Sequence, residues 1–282
     1  MTNDKIFVPP IKIQGIKTKL IPFIKQHVKF NKDALWVEPF MGSGVVGFNI
    51  RPECAVFADL NPHIINFYNA LKFNKINSDL IGSFLEEHGR LLKNYGEKYY
   101  YSVRDRFNKF HSPLDFLFLN RSCFNGMIRF NKRAEFNVPF GHKPDRFARA
   151  YITKIINQVK YIEACLKIYD WNFVCQPFEE TIQTVSSKGS IFIYCDPPYI
   201  GRHVDYYDTW DENSEQKLCS ALKSSGAKFL LSTWDHNKYR ANEYINKIWN
   251  FCYKFNQEHF YHVGAKEANR NIMIEALLKN YE

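Results

Sequence analysis

The chain has 282 residues and a formal net charge of +9, with 45% hydrophobic and 24% charged residues. This mixture is typical of a globular protein with one large or two modest domains, and it excludes wholesale disorder and a fibrous repeat. No stretch approaches the roughly 20 apolar residues that span a bilayer. The first twelve residues contain charges and two prolines rather than the apolar centre of a signal peptide. We therefore expect a cytoplasmic protein without a membrane partner.

Seven cysteines are scattered along the chain, and their odd number and the lack of a CxxC pair argue against a disulfide framework. No histidine spacing beside them is typical of structural zinc. We expect free thiols and no metal.

The first part of the chain alternates strand and helix patterns. The predicted strands and helices are Leu20–Val28 (helix), Leu35–Phe40 (strand), Val45–Ile50 (helix), Ala55–Ala58 (strand) and Pro62–Phe73 (helix). A tight turn containing Gly42 and Gly44 follows the first strand, and Asp59 ends the second. Strand, glycine turn, helix, strand and acid in this order predict the first half of a doubly wound, Rossmann-like α/β sheet.

Residues 75–160 interrupt this alternation and predict a mainly helical insert. Helical patterns cover Asp79–Lys93, Tyr100–Phe110, Pro113–Phe124 and Thr153–Tyr169, and Met127–Asn131 with Glu135–Pro139 predicts a β-hairpin. From Arg104 to Lys160 there are 12 Lys or Arg residues against 4 Asp or Glu, interleaved with phenylalanines. This pattern favours nucleic-acid binding, although a solvated basic surface over an aromatic core would give it too.

After the insert the strand and helix alternation resumes. Strands are predicted at Asn172–Cys175, Ser190–Cys195, Ala227–Ser232, Cys252–Phe255 and Asn271–Leu278, and helices at Glu215–Ser224 and Asn242–Asn250. We expect residues 1–74 and 161–282 to form one catalytic domain with a single sheet, interrupted by residues 75–160 as a second domain.

Polar and glycine-rich segments follow several predicted strands, where ligands of open α/β sheets bind. The turn with Gly42 and Gly44 is by itself weak evidence for a ligand site, because a tight turn with no ligand would contain the same glycines. Asp59, 15 residues further on, can accept both hydroxyls of a ribose. The pair favours a nucleoside-containing cofactor that is not a dinucleotide.

Asp196-Pro197-Pro198-Tyr199 follows an apolar strand directly. Two prolines remove two N–H donors and fix φ, which leaves the carbonyls of Asp196 and Pro197 and the Asp196 carboxylate as rigid acceptors. Acceptors beside an aromatic ring suit a planar substrate that carries an NH2 group. The alternative is that these residues form a proline-rich turn after the strand and have no catalytic role.

In this order, the segments resemble the DNA adenine methylase family, the D12 class of N6-adenine DNA methyltransferases. The most specific match is Leu119–Gly141, with its Asn-Arg, aromatic-Asn-Gly, Arg-x-Asn and Phe-Asn-Val-Pro-Phe-Gly pattern. The family pattern also matches at Glu38–Gly44, at Asp59, and at the DPPY sequence followed by Gly201 and Arg202. The resemblance implies a Rossmann-like S-adenosylmethionine-dependent methyltransferase sheet, with the insert as a target-recognition domain.

The resemblance also implies the residues that bind S-adenosylmethionine. They are Lys12, Gly15, Lys17, Glu38, Pro39, Phe40, Gly42, Gly44, Asp59, Phe178 in a loop over the cofactor adenine, and Asp196. Lys12 and Lys17 match the family's Lys-Trp-x-Gly-Gly-Lys, but Ile13 replaces the Trp and Ile16 the second Gly. Pro177 stands where relatives often carry an acid.

The implied DNA contacts lie in the insert. Phe124 matches a ring inserted into the base stack, and Asn125, Met127 and Arg129 match base contacts, with Arg129 suited to guanine. Phosphate contacts are expected at Arg121, Lys132, Arg133 and Lys143, and Asn131 and Pro139 complete the DNA-binding set. A solvated surface charge is the alternative for each basic residue. Asn120 is expected to cap or bridge the hairpin.

The expected reaction is methyl transfer from S-adenosylmethionine to N6 of an adenine flipped out of double-stranded DNA, with Asp196, Pro197, Pro198 and Tyr199 as the catalytic rim. The insert suggests a site containing GA, with GATC first. A restriction–modification system with a cognate endonuclease fits, as does an enzyme acting alone, and the oligomeric state is open. RNA or protein-amide methylation, or DNA binding without catalysis, are the alternatives. Arg202–Trp210 is expected to cover the flipped base or contact DNA.

Overall fold

A computed structural model describes residues 5–187, 189–200, 210–260 and 272–282. These residues form a seven-stranded sheet in the order β3-β2-β1-β4-β5-β7-β6. The strands are β1 (Leu35–Glu38), β2 (Cys54–Asp59), β3 (Asp170–Cys175), β4 (Ile191–Cys195), β5 (Lys228–Asn237), β6 (Tyr253–Phe260) and β7 (Ile272–Lys279). The first five in this spatial order pair in parallel, whereas β7 is antiparallel to both β5 and β6. The expected Rossmann-like α/β fold is confirmed.

Nine α-helices lie in the described ranges. They are α1 (Ile21–His27), α2 (Val45–Ile50), α3 (Pro62–Lys72), α4 (Ser78–Phe110), α5 (Pro113–Ser122), α6 (Arg149–Ile168), α7 (Phe178–Val185), α8 (Glu212–Ser225) and α9 (Tyr244–Ile248). Side-chain caps begin several of them: Asn61 Oδ1 accepts the N–H groups of His63 and Ile64 at the start of α3. Gly96 has φ 57° and breaks α4 between the two helices predicted there.

Several elements differ from the sequence prediction, and one of them is the strand predicted at Cys252–Phe255, which extends to Phe260 as β6. Phe178, expected in a loop, begins α7, and the predicted strand ending at Ser232 continues to Asn237 as β5. The extension is polar, and its pairing with β7 passes a bulge between Trp234 and His236. The extension could not be predicted from its polar sequence, because hydrogen bonding to the neighbouring strand β7, rather than an apolar pattern, stabilises it.

Helices cover both faces of the sheet. In β1, Trp36 belongs to the apolar cluster on one face and Val37 to the cluster on the other, and Phe192 and Ile193 of β4 divide in the same way. The first cluster continues into the insert, where Phe118 stacks on Phe147. A strand buried on both faces explains the continuous apolar run at β4.

The insert contains the predicted hairpin as an irregular ladder. Phe130 pairs with Phe136 and Cys123 with Phe140, both antiparallel. Helix α6 runs without a break through residue 160, where we expected the boundary between the two domains. The division into domains stays a prediction.

None of the described helices is both long and apolar enough to cross a bilayer. The seven cysteines all fall in the described ranges and are free thiols.

Candidate active site

A cavity of about 670 Å³ lies at the carboxyl ends of β1, β2 and β4. Because these strands are parallel neighbours, the segments that follow them meet at one edge of the sheet. Pro39 and Phe40 follow β1, Asp59 ends β2, and Asp196 follows β4, and all four residues line the cavity.

Asp196 forms an ion pair with Lys17 at the floor of this cavity. The Lys17 ammonium lies 2.8 Å from Asp196 Oδ1, donates to the Gly15 carbonyl at 3.1 Å, and stands 5.1 Å from the centre of the Tyr199 ring. Lys17 is 4% exposed. The Tyr199 hydroxyl donates to Glu275 of β7 at 2.8 Å. Two buried partners, Lys17 and Glu275, therefore hold Asp196 and Tyr199 in place.

Burial raises the pKa of Asp196, and the Lys17 ammonium opposes that rise. An ion pair at this distance favours the carboxylate form. The carboxylate is an acceptor alone, which is the form that can hold an N–H group.

Glu38 lies deeper and is buried. Its Oε1 accepts the Trp36 indole N–H at 2.8 Å, and the Gly47 N–H is a further donor to the carboxyl. Burial raises the pKa of Glu38 to about 8, against the effect of these hydrogen bonds. At neutral pH a carboxyl with this pKa is mainly protonated. Its hydrogen bond with the Gly47 N–H joins β1 to α2, and its contact with the cofactor stays a prediction.

Asp59 holds the glycine turn in place. Its Oδ2 accepts the Gly42 N–H and its Oδ1 accepts the Asn61 N–H, both at 2.8 Å. Burial raises the pKa of Asp59, and these two N–H groups lower it. Each oxygen has a second lone pair, so the carboxylate can still accept hydroxyl groups from a ligand.

Three aromatic rings form one corner of the cavity. Phe40 and Phe178 stack with ring centres 5.3 Å apart, and Trp210 lies 5.5 Å from Phe40 and 5.6 Å from Phe178. We call Phe40, Phe178 and Trp210 the aromatic corner. A planar heterocycle would find an apolar wall here.

Most of the expected cofactor residues line this cavity. They are Gly15, Lys17, Glu38, Pro39, Phe40, Gly42, Asp59, Phe178 and Asp196. Ile13 and Ile16, the departures from the family pattern, line it as well. Lys12 instead points its ammonium at the Tyr151 ring, 6.0 Å away. Gly44 shapes the turn, because it has φ 77° and a Cβ there would lie 2.4 Å from Phe48.

The insert presents some expected DNA contacts to solvent and uses others internally. Exposed side chains are those of Phe124 (48%), Asn125, Lys132, Arg133, Pro139 and Lys143. Met127 is half-buried, and Arg129 donates to Asn137 Oδ1 at 2.8 Å. Asn131 closes the hairpin turn, accepting the N–H groups of Arg133 and Glu135.

Arg121, expected to contact phosphate, is buried in α5. Its guanidinium donates to Gln158 at 2.6 Å and to Tyr151 at 3.2 Å. In this conformation the charge joins α5 to α6 and does not reach solvent. A phosphate contact by Arg121 stays a prediction that requires the side chain to move.

Asn120 connects the insert to the N-terminal segment. Its amide accepts the Lys12 N–H at 2.8 Å and donates to the Lys12 carbonyl at 2.9 Å and the Gly126 carbonyl at 3.3 Å. The side chain is fully buried. It thus bridges the hairpin to the segment that carries Lys17.

Sequence reasoning missed several residues at these sites. Glu275 and Glu215 lie behind the cavity wall, and an acid in a strand or a helix carries no sequence signal of such a role. Arg104 lines a second cavity of about 400 Å³ beside the hairpin, and its Nε is buried without a hydrogen-bond partner among the described residues. In the sequence, only the basic charge of the surrounding stretch indicated that Arg104 could belong to a binding surface.

The expected segment Arg202–Trp210 lies mostly outside the described residues, and Trp210 is its described end. Within the described ranges, no group of three or more His, Cys, Asp and Glu side chains is arranged to hold a metal ion.

Comparison with known proteins identifies this combination of sheet, rim and insert. The model of the D12 class of N6 adenine-specific DNA methyltransferases matches residues 14–269. The chain belongs to that family. Methyltransferases in general take the methyl group that they transfer from S-adenosylmethionine.

The relatives of this D12-class chain are named DNA adenine methylases and Type II methyltransferases, and the chain spans less than two thirds of the length of several of them. DNA adenine methylase of Haemophilus influenzae is 34% identical over 198 residues, which cover 68% of this chain but 63% of that protein. The DNA adenine methylase of Serratia marcescens is 33% identical over 239 residues, covering 80% and 83%. Type II methyltransferase M.FokI of Planomicrobium okeanokoites is 29% identical over 286 residues, covering 96% and 42%.

Among solved structures, the rRNA methyltransferase AviRa of Streptomyces viridochromogenes has a TM-score of 0.39 and 10% identity, and the match covers 94% of this chain and 83% of that one.

Proposed function

We propose that this D12-class enzyme methylates N6 of an adenine that it has flipped out of double-stranded DNA. The observation that carries the proposal is the Asp196–Tyr199 rim, which opens into the same cavity as Asp59 and the aromatic corner. An acceptor rim for an amino group and a pocket for a nucleoside thus share one space of about 670 Å³.

The residues present fit S-adenosylmethionine. Asp59 offers carboxylate lone pairs to ribose hydroxyls, and the aromatic corner offers an apolar wall to an adenine ring. Gly42 keeps the turn open, because a Cβ there would lie 3.3 Å from Ile13. When bound, this cofactor would supply a methyl group on a positively charged sulfur. It would leave as the neutral thioether S-adenosylhomocysteine, and the methylated amine would release one proton to solvent.

The rim positions the substrate amine. The Asp196 carboxylate and the Pro197 carbonyl accept its two N–H groups, which turns the nitrogen lone pair toward the methyl donor. The exocyclic amine is a poor nucleophile because its lone pair is delocalised into the ring, so positioning and electrostatics supply most of the rate. To accept the amine, Asp196 exchanges part of its contact with Lys17 for the substrate N–H.

Tyr199 supplies the flat surface on which the flipped base stacks. Its hydroxyl is held by Glu275, so the ring is oriented before a base arrives. A base reaches this rim only outside the duplex, at a cost of a few kcal/mol for unstacking and unpairing.

The insert is the surface that we assign to DNA. The exposed Phe124 ring is suited to fill the space that the flipped base leaves, and Lys132, Arg133 and Lys143 are free to meet phosphates. Arg129 reads a guanine if it exchanges its contact with Asn137 for the base edge. Arg104 and Lys109 line the second cavity and extend this basic surface.

A site containing GA, with GATC as the first candidate, is our proposal for the target. Membership of a restriction–modification system, with an endonuclease that cuts the same site, belongs to the same proposal.

Modification-sensitive sequencing of DNA from cells that express the chain tests this function. We expect N6-methyladenine at a fixed position of one short sequence. The Asp196→Ala variant should lose methylation and keep its affinity for duplex DNA, because Asp196 holds the amine and no phosphate. A variant with a tenth of the wild-type turnover would contradict the role of Asp196.

The alternatives predict other outcomes. Parallel assays with duplex DNA, structured RNA and a protein substrate would show methylation of RNA or protein if the DNA assignment is wrong. DNA binding without cofactor binding would indicate an inactive DNA-binding protein.

A further inference from the structure

A buried carboxylate outside the catalytic rim joins two tryptophans. Glu215, in the first turn of α8, accepts the indole N–H of Trp210 at 2.6 Å through Oε2 and that of Trp249 at 2.7 Å through Oε1. Glu215 is 6% exposed, and burial raises its pKa while the two indoles lower it. Each oxygen therefore has a dedicated donor.

The two tryptophans belong to different parts of the molecule. Trp249 is 1% exposed and lies in the apolar core under the sheet, where its ring centre is 6.0 Å from that of Phe229. Trp210 lines the cavity and completes the aromatic corner with Phe40 and Phe178. Glu215 thus connects a rigid core residue to a wall of the binding cavity.

We propose that Glu215 is a positioning residue, which holds the Trp210 ring as the third wall of the pocket for the adenine of S-adenosylmethionine. This inference rests on the proposed function, since it assumes that the cofactor occupies this cavity. It assigns a specific task to a residue that touches neither the cofactor nor the DNA.

The chemistry of the pair of indoles requires a carboxylate at this position. Two N–H donors converge on one side chain, and a buried donor that loses its acceptor is strongly unfavourable. A glutamine has one carbonyl oxygen, so it accepts a hydrogen bond from one indole and turns its NH2 group toward the N–H of the other. A leucine serves neither, and Trp210 then loses its fixed orientation beside Phe40.

Affinity for S-adenosylhomocysteine, measured by isothermal titration calorimetry without DNA, tests the proposal. We expect Glu215→Leu to weaken binding about tenfold, equivalent to about 1.4 kcal/mol, and Glu215→Gln by a smaller factor. The Michaelis constant for S-adenosylmethionine should rise in parallel, with kcat at saturating cofactor close to the wild-type value.

Two controls separate positioning from general destabilisation. Leu222 lies on the buried face of the same helix, in the same core as Trp249. Leu222→Ala should lower the melting temperature and leave the affinity unchanged. In a Trp210→Ala background, Glu215→Leu should cause no further loss of affinity, because no wall remains to be positioned.

Wild-type affinity in folded Glu215→Leu protein would overturn the proposal. So would a loss of the same size in the Trp210→Ala background. If Glu215→Leu does not fold, Trp210→Phe answers the same question, because it keeps a ring in the corner but has no N–H group for Glu215 to hold, and unchanged affinity in that variant would overturn the proposal. Failure of the wild-type chain to bind S-adenosylhomocysteine would instead refute the proposed function, and this inference with it.

Discussion

Replacing Glu38 by glutamine should change how the stability of the protein depends on pH. Glu38 is 1% exposed, and its carboxyl contacts the Trp36 indole and the Gly47 N–H. Burial raises its pKa from the ordinary 4.5 to about 8. The folded state thus holds a proton that the unfolded chain releases at neutral pH.

The sign of the effect follows from this raised pKa. The stabilising contribution of protonated Glu38 is fully present below its unfolded pKa, falls as pH rises toward about 8, and is lost above that pH. One pKa unit corresponds to about 1.4 kcal/mol, so a rise of the pKa from 4.5 to about 8 lowers the free energy of unfolding, across this pH range, by an amount on the order of 5 kcal/mol. A glutamine keeps the carbonyl acceptor and cannot ionise.

Urea unfolding of both proteins, followed at several values from pH 5 to pH 9, measures the difference. The wild-type protein and Glu38→Gln should have similar free energies of unfolding near pH 5, and the variant should be the more stable by a few kcal/mol near pH 9. Buried acids that do not interact with Glu38 titrate alike in both proteins and cancel, whereas Asp196, whose charge raises the pKa of Glu38, contributes to the measured difference. A difference that stays constant across this range would refute the reasoning.

Two further variants test the insert. Asn120→Ala removes the three hydrogen bonds of a buried side chain, with the N–H and carbonyl of Lys12 and the carbonyl of Gly126, and should lower the free energy of unfolding by about 2–4 kcal/mol. Arg133→Ala on the exposed hairpin turn is the matched control, and an equal loss in both would contradict the bridging role. Arg129→Ala should relax discrimination at one base of the target, as sequencing of methylated sites would show. An unchanged preference would remove Arg129 as a reader.

Features with a local pattern could be predicted from the sequence. The apolar run of β4 and the prolines after it placed Asp196 at a strand end, and the acid after β2 placed Asp59 in the same cavity. Gly96 divided α4 where two helical patterns met. Each of these features depends on neighbours within one element.

Contacts between distant segments could not be predicted. Lys17 and Asp196 are far apart in sequence, and no pattern indicates that one neutralises the other. Arg121 looked like a surface charge, but α5 is buried from Asp115 to Ser122, so its polar residues face inward. Tertiary packing decides which basic side chains of the insert remain exposed.

The bridge between Asn120 and Lys12 constrains any exchange of the insert that we propose as the DNA-recognition surface. A recognition block grafted from another methyltransferase carries its own residue 120 to a foreign N-terminal segment. Close packing restricts the residues that fit at this contact, since a Cβ on Gly126 would lie 2.7 Å from the Lys12 side chain. Functional chimeras should therefore exchange the segment that contains Asn120 and the hairpin together with the N-terminal segment that contains Lys12.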